Sequence, residues 1–523
     1  MNTVFGKNLT FVAWAALSLL LAGEGAAEDP YEEAWARQLG TSEFDDWGLG
    51  VAVDAMGNAF ISGGTNGSLG PGGVGSSPGK GDPFLVKYDT AGNLLWTQQL
   101  GTSGEEIGRG VAVDAVGNAF ISGETNGSLG GPHAGKDDAF LLKYSAEGNL
   151  LWTQQLGTSD SDYSEGIAVD AVGSAFVTGF TGGSLGGPSA GDYDAFLAKY
   201  SAAGNLLWTQ QLGTSALDVA SGVAVDAAGS AFITGYTKGS LGGPNAGGND
   251  AFLAKYSAAG NLLWTQQLGT SEGDRARSVA VDAVGSAFVI GATSGSLGGP
   301  NAGENDAFLA KYSAEGNLLW TQQLGTSKEE AGYGVAVDAV GSAFVSGVTL
   351  GSLGGPNAGG NDAFLAKYSA EGNLLWTQQL GTIASDYGED VAVDAVGSAF
   401  ITGTTRGSLG GPHAGERDAF LAKFEFVPSS IPVIPGDYNQ DGVVDAADYT
   451  MWADNRGSTF DLGGNGDETG GSGGVVDVAD YSLWKASFGN TAAGSATGAV
   501  PEPTSLLVTL VGMLALALFN RCR

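Results

Sequence analysis

Short runs of alternating apolar and polar residues recur along most of this chain, each closed by a turn signal. One unit reads G-V-A-V-D-A, then S-A-F-I-T-G, then D-A-F-L-A-K-Y, then N-L-L-W-T-Q-Q-L-G, and predicts four short strands. D-A-V-G-S or D-A-V-G-N joins the first strand to the second, and S-A-E-G-N or S-A-A-G-N joins the third to the fourth. Gly and Asn in these links supply the positive φ that a tight hairpin needs. The other connections are longer: T-x-G-S-L-G-G-P-x-A-G-x-x-D between strands two and three, and G-T-S with a variable acidic stretch before the next unit.

The unit repeats. Trp96, Trp152, Trp208, Trp264, Trp320 and Trp376 recur every 56 residues, and Trp35 precedes them at a longer interval whose extra length lies in G-P-G-G-V-G-S-S-P-G-K-G-D-P-F. Counting the V-A-V-D and F-L-x-K motifs gives seven copies. Residue size grows from Val and Ala in the first strand, through Phe and Tyr, to Leu and Trp in the fourth. That gradient suits a wedge with its narrow edge at a central axis, so the pattern predicts an all-β, seven-bladed propeller of four-stranded blades. A β-solenoid is the alternative, and it lacks this gradient. The chain opens on a fourth strand around Trp35 and closes on strands one to three near Phe426. The N-terminal strand is therefore expected to complete the last blade and lock the ring.

Seven D-x-x-x-G-V-A-V-D-like segments resemble the SBBP ("seven-bladed β-propeller") repeat family across residues 34–426. The resemblance implies the fold and bacterial export. It implies no reaction, since propellers host many unrelated functions.

Acids outnumber bases 56 to 22, and the net charge of -34 argues against nucleic acid as a partner. The single cysteine, Cys522, excludes an intramolecular disulfide. Three acidic positions recur in every copy: the first from Asp46 to Asp386, the second from Asp54 to Asp394 and the third from Asp82 to Asp418. A role repeated in every blade points to carboxylates capping turn amides, with a ring of cation sites as the alternative. The two histidines, His133 and His413, occupy one loop position in copies two and seven and read as polar loop residues. No Ser/His/Asp set, phosphate loop or HExxH is present, and no catalytic residue is assigned.

The flanks carry other signals. Residues 1–27, with Lys7 and an apolar run from Phe11 to Ala22, have the layout of a secretory signal peptide cleaved after Ala27; a retained anchor is the alternative. A Pro-rich linker covers 427–436. In the following module, 437–490, Asp437, Asn439, Asp441, Val443, Asp445 and Asp448 have the oxygen-ligand spacing of a calcium loop, with Gly442 at the sharp turn. The second unit of the module is weaker, and Asp467, Asp477 and Asp480 are its candidate ligands. The pair of loop-helix units resembles a type I dockerin, which implies calcium as cofactor and a cohesin-like partner. Ala446-Ala447 and Val478-Ala479 stand where that family often has Ser-Thr. A second linker covers 491–499. Within 500–523, Val500-Pro501-Glu502-Pro503, an apolar run from Leu506 to Phe519 and Arg521-Cys522-Arg523 resemble the PEP-CTERM sorting signal. That likeness implies transient membrane anchoring, cutting by an exosortase-type enzyme, and the surface or surroundings of a Gram-negative-type bacterium; an uncleaved anchor is the alternative.

Differences between copies fall at two places on one propeller face: after the first acid and at the end of the second strand. Trp47, Tyr163, Tyr236 and Tyr387 lie there, and aromatics beside carboxylates suit sugars or a protein partner. The expectation is a non-catalytic surface or matrix scaffold for adhesion or recognition of glycans or proteins. A carbohydrate-active enzyme, or an accessory subunit of one, is the alternative that the dockerin-like module suggests.

Overall fold

A computed structural model describes residues 31–42, 45–69, 81–427, 435–438, 443–457, 476, 478–491 and 494–495. The signal-peptide and sorting-signal segments lie outside them, as do Asn439, Asp441, Asp467 and Asp477. The chain divides into two units, 1–426 and 427–523.

The first unit holds seven four-stranded antiparallel sheets. Blade one is Asp46–Val53, Ala59–Thr65, Asp82–Tyr88 and Leu94–Gln99, paired in that order. Blades two to six repeat it, with first strands Glu106–Val113, Asp162–Val169, Asp218–Val225, Asp274–Val281 and Glu330–Val337. First strands of neighbouring blades touch all the way round, including blade seven against blade one, so they form the inner wall of a closed ring. The third strand is buried along its whole length, while the paired leucines that open the fourth strand, such as Leu94 and Leu95, are about half exposed at the rim.

Blade seven consists of Asp386–Val393, Ala399–Thr405, Asp418–Phe426 and the N-terminal strand Tyr31–Leu39. The register runs from Tyr31 opposite Phe426 to Leu39 opposite Ala419. The predicted ring closure is thus found, with the strand beginning three residues ahead of residue 34.

Neighbouring blades are stitched at the rim. In blade one, the Lys87 ammonium sits 3.3 Å from Asp54, 4.6 Å from the centre of the Phe60 ring and 3.3 Å from the Ala146 carbonyl of blade two. Trp96 donates to the same carbonyl at 3.2 Å. The tryptophan face packs on Gly148 of that turn, where an added Cβ would meet the indole at 3.0 Å and φ is +87°. A side chain there would clash and be strained, which is why the turn needs glycine. Blade seven has no such turn, because its fourth strand comes from the other end of the chain. Tyr31 takes its place. Its ring lies 5.1 Å from Trp376 and 5.8 Å from Phe344, and its hydroxyl donates to Gly397 at 2.9 Å. The Trp376 indole N–H, lacking the turn carbonyl, has no acceptor among the described residues.

In the second unit, α1 (Ala446–Asn455) starts on a capping box: Asp445 accepts from the Ala447 amide at 2.7 Å and Asp448 accepts from the Asp445 amide at 2.8 Å. Helix α2 (Val478–Ser487) packs against α1 around Tyr438, Val444, Trp452, Val476 and Trp484. The Trp484 indole donates to the Asp445 carbonyl at 2.7 Å.

Candidate functional site: the variable face of the ring

The recurring acids are capping groups. In blade three, Asp162 accepts from the amide and hydroxyl of Thr158 at 2.5 and 2.9 Å and from the Thr181 hydroxyl. Asp54, of the second set, accepts from the amides of Met56 and Asn58 at 3.0 and 2.9 Å. Asp138, of the third, accepts from Gln155 Nε2 at 2.7 Å and from the Ala134 amide at 2.8 Å. First and third acids of adjacent blades lie close together in the seams. Burial pushes Asp162 above the usual carboxylate range, against its hydrogen bonds from Thr181 and Thr158, and the Asp138 charge adds to the push. Burial likewise pushes Asp82 up to about 6, with Glu106 as the neighbouring charge. His133 and His413 flank the third acid, with Nδ1 3.4 Å from Asp138 and 3.3 Å from Asp418.

The two variable positions turn out to be one. Each residue after the first acid is the direct cross-strand partner of the variable residue on the second strand. The pairs are Trp47 with Gly64, Ile107 with Glu124, Tyr163 with Phe180, Val219 with Tyr236, Arg275 with Ala292, Ala331 with Val348 and Tyr387 with Thr404. Such pairs stand side by side on one sheet face.

Trp47, Tyr163, Tyr236 and Tyr387 are each half-buried and stand in blades one, three, four and seven. Each is engaged with its own surroundings. The Tyr163 ring is 4.9 Å from Phe180, and its hydroxyl donates at 2.8 Å to Asp137 of blade two. Tyr236 is covered by the Arg275 guanidinium of blade five at 5.3 Å. The Tyr387 hydroxyl accepts from Asn361 of blade six at 2.7 Å. The Trp47 ring lies over Gly64, where a Cβ would meet it at 3.2 Å. Three of the four thus help join adjacent blades as well as facing the surface.

Sequence comparison of the copies missed a third variable position. In every blade the register slips in the first strand: between Gly48 and Gly50 in blade one, and between the matching residues elsewhere. The bulged residue is left out of the ladder, which re-aims its side chain. Around the ring these residues are Leu49, Arg109, Glu165, Ser221, Arg277, Tyr333 and Glu389. Their charges interact across the axis: Arg109 of blade two with Glu165 and Glu389, and Glu389 of blade seven with Arg277 of blade five. Interaction between blades that are not neighbours places these side chains at the axial mouth. Arg109 is held in a fork by Glu124, with contacts of 2.8, 3.1 and 3.2 Å. Burial pushes the Glu124 carboxyl up to about 7 although Arg109 pulls it down. The Arg277 guanidinium lies 5.8 Å from the Tyr333 ring. The signal that could have found the position is the last x of D-x-x-x-G-V-A-V-D, which changes widely between copies while the flanking residues stay small in all but Asp390.

On the opposite face, a cavity of about 440 Å³ lies at the seam of blades seven and one, beside the Thr90 turn of blade one. Met56, Thr90, Asp394, Val396, Lys423 and Phe426 line it. In the second unit, Asp437 and Asp448 are buried, and Asp448 accepts from the Tyr438 amide at 2.7 Å. Val443, Asp445 and Asp480 are described there too; the remaining candidate ligands are not among the described residues. No group of three or more metal-ligating His, Cys, Asp or Glu side chains forms among the described residues.

Six segments, 34–71, 95–130, 151–187, 207–242, 263–298 and 375–410, match the SBBP family, a beta-propeller repeat, so the chain carries SBBP beta-propeller repeats. Among curated proteins, it is 30% identical over 242 residues to the regulatory protein FlaEY of Caulobacter vibrioides, covering 42% of this chain and 24% of that protein. It is 27% identical over 241 residues to an uncharacterized WD repeat-containing protein of Acanthamoeba polyphaga mimivirus, covering 36% of this chain and 17% of that one. The chain spans about a quarter or less of the length of these relatives. Solved structures similar to it include the Pan2 WD40 domain of Neurospora crassa, at 8% identity and TM-score 0.42 over 77% of this chain and 98% of that one. Virginiamycin B lyase of Staphylococcus aureus is similar at 8% identity and TM-score 0.40, over 75% and 99%. These likenesses are of fold alone.

Proposed function

We propose that this ring of SBBP repeats is an exported, non-catalytic recognition scaffold that presents one propeller face to a surface glycan or protein. The observation that carries the reading is where the seven copies differ. Strands and tight turns are almost the same in all of them, whereas the cross-strand pairs and the bulged residues change from blade to blade on a single face. Drift would be free to act on the exposed D-A-V-G-S and S-A-E-G-N turns as well, and those stay nearly constant. A fixed frame with one varied face is the arrangement that loop-borne recognition uses.

The test is replacement of Trp47, Tyr163, Tyr236 and Tyr387 by Ala, followed by binding and turnover assays on a panel of polysaccharides and surface proteins. Saturable binding by the native protein, lost in the variant without product formation in either, is the expected result. Turnover would instead favour the carbohydrate-active alternative, and full binding by the variant would remove the face from consideration. Because three of these residues also join blades, the melting temperature of the variant must be followed alongside.

The flanking segments complete the proposal. A signal peptide at 1–27 and a sorting segment at 500–523 would carry the chain to the cell surface, with an exosortase-type enzyme acting at the latter. The 437–490 module would bind calcium. Two buried carboxylates, Asp437 and Asp448, at the loop-to-helix junction are the chemistry a hard divalent cation offsets. Calcium there would be held by Asp437, Asn439, Asp441, the Val443 carbonyl, Asp445 and Asp448, and would lend the module stability rather than reactivity.

A further inference from the structure

The bulged residues do not form a self-satisfied plug. A ring of seven near-identical copies could close its axial mouth with one residue repeated seven times, as it does at the glycine that follows the bulge in blades one, two, three, four and six. Instead the mouth holds Leu49, Arg109, Glu165, Ser221, Arg277, Tyr333 and Glu389, a set with no rotational symmetry. The charges are also unevenly paired. Arg109 is taken by Glu124 in a three-contact fork, and Arg277 lies on the Tyr333 ring. Glu165 and Glu389 accept no hydrogen bond from any described residue. Partial burial pushes the Glu389 carboxyl up, against the pull of Arg277 and Arg109. With Arg109, Arg277, Glu124, Glu165 and Glu389 ionised, the mouth carries a net charge of about -1 in a chain of -34.

We propose that the axial mouth is a socket for a basic side chain of a partner protein, with Glu165 and Glu389 as its acceptors and the Tyr333 ring as its apolar wall. This rests on the recognition face described above and names the chemistry of its centre. A lysine or arginine entering along the axis supplies the donors that the two carboxylates lack, and its stem packs on the aromatic ring. An anionic sugar meets two carboxylates that accept no hydrogen bond from a described residue, while Arg109 is already held by Glu124 and Arg277 lies against the Tyr333 ring. Charge therefore selects the cation.

The test has two arms. The first needs no ligand: Glu389→Gln is expected to leave the melting temperature unchanged or raise it, because the carboxylate is held for a partner at the expense of stability. A fall of several degrees would show Glu389 to be a structural lock with Arg277 and Arg109, and would overturn the proposal. The second measures binding of hexalysine and of polygalacturonate at physiological salt. The Glu165→Gln/Glu389→Gln double variant is expected to lose at least tenfold in hexalysine affinity. Unspecific attraction is nearly untouched by removing two of 56 acids, so an unchanged affinity would overturn the socket. Preferential binding of polygalacturonate would overturn it as well. Loss of partner binding in the four-aromatic variant but not in the double variant would leave the face standing and remove the socket alone.

Discussion

Tyr31→Ala should open the ring at one defined place. The side chain is buried and contacts Phe344 and Trp376 of blade six and Phe426 of blade seven. Truncating a buried aromatic costs about 3–5 kcal/mol, and the hydrogen bond to Gly397 adds about 1 kcal/mol. Tyr31→Phe separates the terms and should cost about 1 kcal/mol. The loss is local. The N-terminal strand pairs with Asp418–Phe426 alone, so it can detach while six blades remain folded. Detachment uncovers Arg37, whose guanidinium donates to the Gly92 carbonyl at 2.7 Å in the closed ring. Limited trypsin digestion of the Ala variant should therefore cut after Arg37 under conditions where the native protein resists, and urea unfolding should show a lower midpoint. A loss under about 1 kcal/mol with Arg37 still protected would refute the account of Tyr31 as the latch.

Acid should stabilise the propeller. Asp82 is pushed up to about 6 by burial and Asp390 to about 7, so the native state binds more protons than the unfolded chain between about pH 4 and 7. The stabilisation is complete below the unfolded values and is lost as pH rises through the folded ones; the melting temperature should be higher at pH 5 than at pH 8, and Asp390→Asn should narrow the gap. Lys255→Met strips the stitch to the Ala314 carbonyl of blade five and leaves the largely buried Asp226 side chain without its ammonium partner at 3.2 Å; a loss of about 3–5 kcal/mol is expected by chemical denaturation, and a neutral result would mean the pair contributes only packing. Chelator should lower the helicity of the full chain's 437–490 module, read as calcium-dependent circular dichroism near 222 nm. Asp448→Ala should abolish that dependence; identical spectra with and without calcium would count against the site.

The periodic part of this architecture was legible in the sequence because it is written seven times. Strand order, hairpin glycines and the completion of blade seven by the N-terminal strand all follow from repeat phase. The lateral seams were not legible. Tyr163 meets Asp137, and Tyr236 meets Arg275, across boundaries that no single copy contains, so comparing copies position by position showed variation without showing partners. The bulge was hidden for a different reason. A residue slipped out of the ladder leaves strand alternation looking continuous, and nothing in the sequence marks out Arg109 and Glu389 until the ring brings them to one axis. Most of the extended loop of the first copy and two of the six calcium-loop ligands, Asn439 and Asp441, lie outside the described residues, so for them the reading rests on spacing alone.

Near-identical blades create a problem of addressing. Any third strand in the ring presents almost the same edge as any other, so a fourth strand searching for its partner meets seven nearly equivalent berths. Six are filled by short hairpins, at little cost in search. The seventh must be found by a segment almost four hundred residues away along the chain. What distinguishes it is a short label: Tyr31 on the bare Trp376, Arg37 on the turn of blade one, and Arg417 paired with Asp45. The N-terminal strand also carries Glu33-Ala34 where the others carry Leu-Leu, so it is a poor substitute in any berth but its own. Closure is thus specified by the two ends of the repeat array while ring size is left to the number of repeats, and a gene that gained or lost one copy would still present the same two matching labels to be joined.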